Sequence, residues 1–447
     1  MTSTVRRAGA FAAVGTLAFA VPFAAGLASP AAATVAATAP FLVVAFFAMF
    51  AIGPDTPVFE IFARPGDYED GRLYGLAAFA LAAASLAFLS IQFDLPVWAF
   101  VATVVIVSYG NFGQRVAHRW RSDEVVATAG FVVTGFACGT AAAVVAARLG
   151  TGSVAPATAL FLAGTGALVA ALFRSVLFER DDPLVVLSVG LLLWLLFELD
   201  PGAGTTRVFI ALGVSAVLGY VAYALDTASL PGMLTGVLLS LLTIVLGGYG
   251  WFAMLITFFG LGGLSTKYRY EAKQDRGIAE ANEGARGSGN VLANSIVALV
   301  AVVLWAASPT HISVDPAVFL YAFAGAVAAA MTDTFSSEFG GLYDNPRLIT
   351  TFERVEPGTD GGVTWQGIVA GLVGAGIIAG IAAATLDVVG PVGAALIVGC
   401  GFVGMTVDSV LGATVEGTVV GNQGVNTLAT LAAALTGVGA ALAVSLV

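Results

Sequence analysis

The chain has 447 residues, of which 58% are hydrophobic and only 10% charged, with a net charge of −10 at pH 7. A water-soluble domain carries roughly 25% charged and 45–50% apolar residues, so this composition excludes a soluble globular protein and requires lipid around most side chains. The acid excess argues against a nucleic-acid partner, and the two cysteines, Cys138 and Cys400, are too few for a disulfide framework or a zinc site.

Apolar runs recur at about the 20-residue length of a bilayer-spanning helix, without the short alternating strands of a transmembrane barrel. In chain order the pattern predicts helices over 8–28, 34–52, 73–92, 95–110, 124–147, 153–177, 183–199, 205–225, 229–247, 249–266, 290–308, 314–332, 364–385, 389–410 and 426–446. The expectation is therefore an all-α, polytopic membrane protein of about fifteen helices, with Gly, Pro and charged residues at the junctions. The first helix starts like a secretory signal, with Arg6, Arg7 and a small-residue run at Ala31-Ala32-Ala33. Its apolar stretch exceeds the usual core of roughly 7–15 residues, so it is read as an uncleaved membrane helix. A cytoplasmic N-terminus places sixteen of the 18 basic residues inside and only Arg148 and Arg207 outside, the asymmetry of the positive-inside rule. The C-terminus then lies outside. Only Lys267 and Lys273 are lysines, and an acid-rich, lysine-poor surface suits a salt-rich environment.

Three polar segments, all in the second half, fall on the cytoplasmic side: 267–289, 333–363 and 411–425. The first carries Lys267, Arg269, Lys273, Arg276 and Arg286 and leads to Asn290 and Asn294. Its cations can clamp a polyphosphate, or equally fix topology beside anionic headgroups. The second opens with Asp333, Ser337 and Glu338 at the end of the twelfth helix; Asp333 and Ser337, four residues apart, share a face. A carboxylate within the membrane costs about 2.5–3.5 kcal/mol on insertion scales and marks a functional position, whereas at the interface it is a solvated helix end. Further along, Thr359, Gly361 and Gly362 precede a helix start, where backbone N–H groups and hydroxyls can meet phosphate oxygens; a flexible connector fits the same residues. The third segment follows Asp408 and contains Glu416, Asn422 and Asn426. Oxygen ligands from Asp333, Asp408, Asn422 and Asn426, without His or Cys, suit Mg²⁺, a hard cation that usually also holds substrate phosphates.

Thr332-Asp333-Thr334-Phe335-Ser336-Ser337-Glu338-Phe339-Gly340, Thr350-Thr351-Phe352, Pro357-Gly358-Thr359-Asp360-Gly361-Gly362 and Gly289-Asn290-Val291-Leu292-Ala293-Asn294 together resemble one integral-membrane family, over about 229–447. It is the family that includes plant phytyl-phosphate kinase and the animal transmembrane protein 19. The resemblance implies phosphoryl transfer from a nucleoside triphosphate, CTP, to an isoprenoid monophosphate of phytyl or geranylgeranyl type, with Mg²⁺ as cofactor and the bilayer as the substrate's solvent. It points to Asp333, Ser337, Glu338 and Asp408 as catalytic, and to Asp333, Asp408, Asn422 and Asn426 for the metal. Lys267, Arg269, Lys273, Asn290, Asn294, Thr359, Gly361 and Gly362 are expected to hold the nucleotide. Gln423 departs from the family pattern, which often has an acid after the first Asn of the last motif, and so a metal ligand is in question.

Residues 1–228 are similar to a degraded second copy, related to phytol and dolichol kinases. The similarity runs through Ser108-Tyr109-Gly110-Asn111-Phe112-Gly113-Gln114-Arg115, Gly130 and Gly135, then Phe173-Arg174-Ser175-Val176-Leu177-Phe178-Glu179-Arg180-Asp181-Asp182-Pro183. Asn111 and Pro183 stand where those kinases have Asp and Asn, so 1–228 is expected to be an inactive copy and 229–447 the working domain. A transporter, whose sites tend toward the bilayer midplane, and a lipid-phosphate cytidylyltransferase are the alternatives.

Overall fold

The computed structural model describes residues 3–150, 152–177, 182–200, 202–225, 228–279 and 288–447. Fifteen long helices succeed one another: α1 (Thr4–Ala25), α2 (Pro30–Phe50), α3 (Tyr74–Gln92), α4 (Val97–Trp120), α5 (Glu124–Leu149), α6 (Pro156–Val176), α7 (Asp182–Glu198), α8 (Thr205–Ala224), α9 (Leu230–Gly247), α10 (Tyr249–Lys267), α11 (Ser288–His311), α12 (Ala317–Gly340), α13 (Trp365–Thr385), α14 (Pro391–Thr414) and α15 (Asn422–Ala443). Among the described residues fourteen of these are long and apolar enough to cross a bilayer, and the remaining one, α7, has 17 residues. The protein is an all-α, multi-pass integral membrane protein. Large apolar side chains such as Val35, Val217 and Leu435 stand in the open on helix faces, where lipid rather than water is their natural neighbour.

Local chemistry starts the helices where turns are needed. Proline occupies the first or second position of α2, α6, α9 and α14, where its missing N–H costs no helical hydrogen bond. Asp123 caps α5 by accepting from the N–H groups of Val125 (2.8 Å) and Val126 (3.1 Å), and Thr364 caps α13 by accepting from Gly367 N–H at 3.1 Å.

The chain divides into two compact units, Met1–Leu212 and Gly213–Val447. Each is built around one buried helix. In the first, α4 packs against α1, α3, α5, α6 and α7; in the second, α12 packs against α10, α11, α13, α14 and α15. α12 and α13 approach closely because α13 turns glycines toward the backbone of α12. A Cβ on Gly367 would lie 2.7 Å from the Ser336 carbonyl, and one on Gly371 2.8 Å from that of Thr332. Small residues at such seams let helices gain packing and backbone contact in lipid.

Four helices outrun the apolar stretches that announce them. α4 continues to Trp120, α12 to Gly340 and α14 to Thr414, while α15 starts at Asn422. In α12, α14 and α15 polar residues of these extensions line a cavity, and the helical backbone there keeps its internal hydrogen bonds. A two-stranded hairpin, β1 (Arg347–Leu348) and β2 (Gly362–Val363), folds the α12–α13 connection back on itself, with Arg347 opposite Val363.

Candidate functional site

In the second unit, the ends of α11, α12, α14 and α15 and the α12–α13 hairpin enclose a cavity of about 540 Å³. Asp333, Ser337 and Glu338 reach it from α12, Asp408 from α14, Asn422 and Asn426 from α15, and Asn290 and Asn294 from α11. Thr359, Gly361 and Gly362 line it from the hairpin side. The hairpin is seated by backbone geometry. Gly361 has φ +75°, and a Cβ there would fall 2.6 Å from the Ser409 carbonyl of α14, so only glycine brings this loop onto α14. Ile349 N–H donates to the Gly361 carbonyl at 3.0 Å, and the 341–363 segment is thereby an ordered cover.

The Asp333 and Asp408 carboxyl groups line the same cavity from α12 and α14 and lie close enough to interact electrostatically. Asp408 Oδ1 is buried and has no hydrogen-bond partner among the described residues. Two acidic groups so placed repel unless a proton or cation lies between them, and an orphaned buried oxygen needs a partner. Among the described residues no three His, Cys, Asp or Glu side chains converge into a complete metal cage. The residues present nonetheless fit Mg²⁺, which is commonly bound through one or two carboxylates and completed by phosphate and water oxygens.

Two further acids border the cavity: Asp360 from the hairpin and Glu416 from the turn between α14 and α15. Burial, and then the Asp360 carboxylate, push the Glu416 carboxyl up from its ordinary value, while a hydrogen bond from Asn422 pulls it back in part. Both sit in the glycine-rich segments singled out in the sequence, but neither was assigned a role there; their signal was an acid beside a glycine that the fold needs.

The three expected cationic clamps stand elsewhere. Lys267 and Arg269 are exposed and do not line the cavity. Lys273 is buried on a short helix, Tyr270–Asp275. Its ammonium donates to the carbonyls of Ser265 (2.7 Å) and Thr266 (3.2 Å) and pairs with Glu338 Oε2 at 2.5 Å. It thus ties the last turn of α10 to α12, and its charge is already matched. Arg276 pairs with Asp344 at 3.0 Å, and Arg286 lies outside the described residues. Among the described residues the cavity lining includes no lysine or arginine. Gln423 also lines the cavity, and its amide lies directly over the Gly289 backbone of α11.

In the first unit, the segment expected to mirror this one has a different chemistry. Asp182, at the start of α7, accepts from Arg64 at 2.6 Å and from Arg174, and Arg174 also donates to Asn111 Oδ1 at 3.0 Å. The space left beside them measures about 10 Å³. Residues 178–181 of that segment lie outside the described residues.

Residues 213–438 match the family described as Integral membrane protein DUF92. An uncharacterized membrane protein of Methanocaldococcus jannaschii is 31% identical over 253 residues, covering 54% of this chain and 97% of that protein. Protein PGR of Arabidopsis thaliana is 31% identical, over 47% of this chain and 79% of its own length. Protein VTE6, chloroplastic, from the same plant is 29% identical, over 34% of this chain and 46% of its own length. No solved structure matches the chain.

Proposed function

The chain belongs to the integral membrane protein family DUF92, and from that premise we propose that its C-terminal unit transfers a phosphoryl group from a nucleoside triphosphate, CTP by the family resemblance, to an isoprenoid monophosphate. The observation that carries this reading is the meeting of Asp333 and Asp408, from separate helices, in a cavity of carboxylates, amides and hydroxyls. Phosphoryl transfer asks little covalent chemistry of a protein; it asks for positioning and charge stabilisation.

Asp333 and Asp408 would hold Mg²⁺, which when bound supplies the positive charge that the lining lacks. Asn290 and Asn294 face the same space with amides that can both donate and accept, suited to orienting polar groups of a substrate. Asn422 is tied to Glu416 and to Asn426, whose Nδ2 lies 3.4 Å from Asn422 Oδ1, and so it orders the acidic turn. Glu338, held by Lys273, is drawn toward α10 and acts here as a fixed wall of the site. The hairpin covers the phosphates and limits water, the competing acceptor.

All described lysines and arginines of this unit lie in the two connections at the cavity end, 267–276 and 347–354. This supports a cytoplasmic site, with the N-terminus inside and the C-terminus outside.

The test incubates purified protein with prenyl monophosphates and each nucleoside triphosphate. The expected products are a prenyl diphosphate and a nucleoside diphosphate, and Asp333→Asn or Asp408→Asn should lower turnover by about 10²-fold or more. Release of pyrophosphate would instead identify a cytidylyltransferase. Full turnover in both variants would remove the acidic pair from the mechanism.

A further inference from the structure

Both units repeat one local design. The buried helix is followed by one that meets it through glycines: a Cβ on Gly130 would meet the Gly113 carbonyl and Ala117 in the first unit, as one on Gly367 would meet the Ser336 carbonyl and Gly340 in the second, which sets Asn111 within one residue of the register of Asp333. One helix later the same tripeptide, Ser-Val-Leu, follows Arg174 in α6 and Asp408 in α14. Each of these two residues then reaches a polar partner on the buried helix: Arg174 meets Asn111 of α4, and Asp408 meets Asp333 of α12. The two places are equivalent in order, in element and in contact, and the charge of the pair has changed from acidic to basic.

We propose that in the N-terminal unit the Arg174 guanidinium occupies the position a divalent cation would take in the C-terminal unit, so that this unit carries its cation in the chain and binds no metal. Arginine stays protonated in proteins, so the charge is permanent. Asp182 supplies the counter-charge: it receives Arg174 and Arg64 together, with the three side chains only 10–13% exposed. Asn111 accepts one of Arg174's remaining protons at 3.0 Å, which lowers the cost of burying the pair. The remaining space, about 10 Å³ against 540 Å³ in the other unit, has room for about one water and none for a phosphate chain. The arrangement stands whether or not the C-terminal unit proves to be a kinase.

The experiment uses the full-length protein in detergent, with Mn²⁺ as the metal probe and thermal unfolding as the second readout. Bound Mn²⁺ should be lost in the Asp333→Asn, Asp408→Asn double variant and unchanged in Arg174→Met. Arg174→Met should lower the unfolding temperature by several degrees, and adding Asp182→Asn to it should lower it further, because Arg64 then loses this counter-charge as well. If Arg174→Met cannot be purified, Arg174→Lys, which keeps the cation beside Asp182, should still fold and bind Mn²⁺ as the wild type does. Mn²⁺ that survives the Asp333, Asp408 double variant and disappears with Asp182→Asn would overturn the proposal. So would an Arg174→Met protein as stable as the wild type. Absence of Mn²⁺ from the wild type would count against the metal role of Asp333 and Asp408 and leave the thermal arm to decide this one.

Discussion

Lys273 carries an ammonium group into a place where the residue is only 1% exposed, and everything around it follows from the cost of that burial. Two helix-end carbonyls and the Glu338 carboxylate absorb the charge. Removing one partner of a buried pair leaves the other uncompensated, at about 3–5 kcal/mol; Lys273→Met should therefore lower the unfolding temperature markedly, while Lys267→Met, at an exposed position, should leave it nearly unchanged. Differential scanning fluorimetry of the two variants separates a strut from a phosphate clamp. Glu416 is a second case. Its folded-state carboxyl is raised by burial and by Asp360, so the folded protein binds that proton more tightly than the unfolded chain does. The ionised form then opposes folding above the raised value, and the penalty fades as pH falls to the ordinary carboxylate range. Glu416→Gln should raise thermal stability near neutral pH and make no difference at low pH; a gain that grew on acidification would contradict this account.

At the scale of elements, glycine decides what can meet. The Gly367, Gly371 and Gly374 stripe brings α13 onto α12 at the level of Asp333. Gly371→Leu should push the helices apart at about 1–3 kcal/mol of overpacking, lowering stability and, if the cavity is the reaction site, turnover. The same change at Gly376, where a Cβ meets nothing within 4 Å, should be silent in both measurements. All fifteen helices were legible as apolar runs, because lipid imposes length and composition directly on sequence. Their polar ends were not: at Asp333–Gly340 and Asn422–Asn426 hydropathy drops while the helix continues, since a wall of a polar cavity and a loop look alike to an apolar-run criterion. The cavity's acids and amides were legible as motifs, whereas the Lys273–Glu338 pair was not, because its partners lie 65 residues apart and charge alone cannot say whether a lysine points to solvent or inward.

At the scale of the molecule, the two units differ in what fills the end of the central helix, an open cavity in one and a closed ionic network in the other. The family match spans 213–438, the unit that holds the cavity. The cavity itself consists almost wholly of groups that bind phosphate, metal or water, and Ile278, Tyr343 and Val363 are among its few apolar members. On the proposed function, a lodging of that kind would grip the head of an amphiphile and leave the hydrocarbon outside, dissolved among acyl chains that do not count carbons. Farnesyl, geranylgeranyl and phytyl phosphates presented in the same bilayer should therefore be turned over with kcat/KM values within about tenfold of one another. A steep preference for one length would mean that a groove along the helices measures the tail.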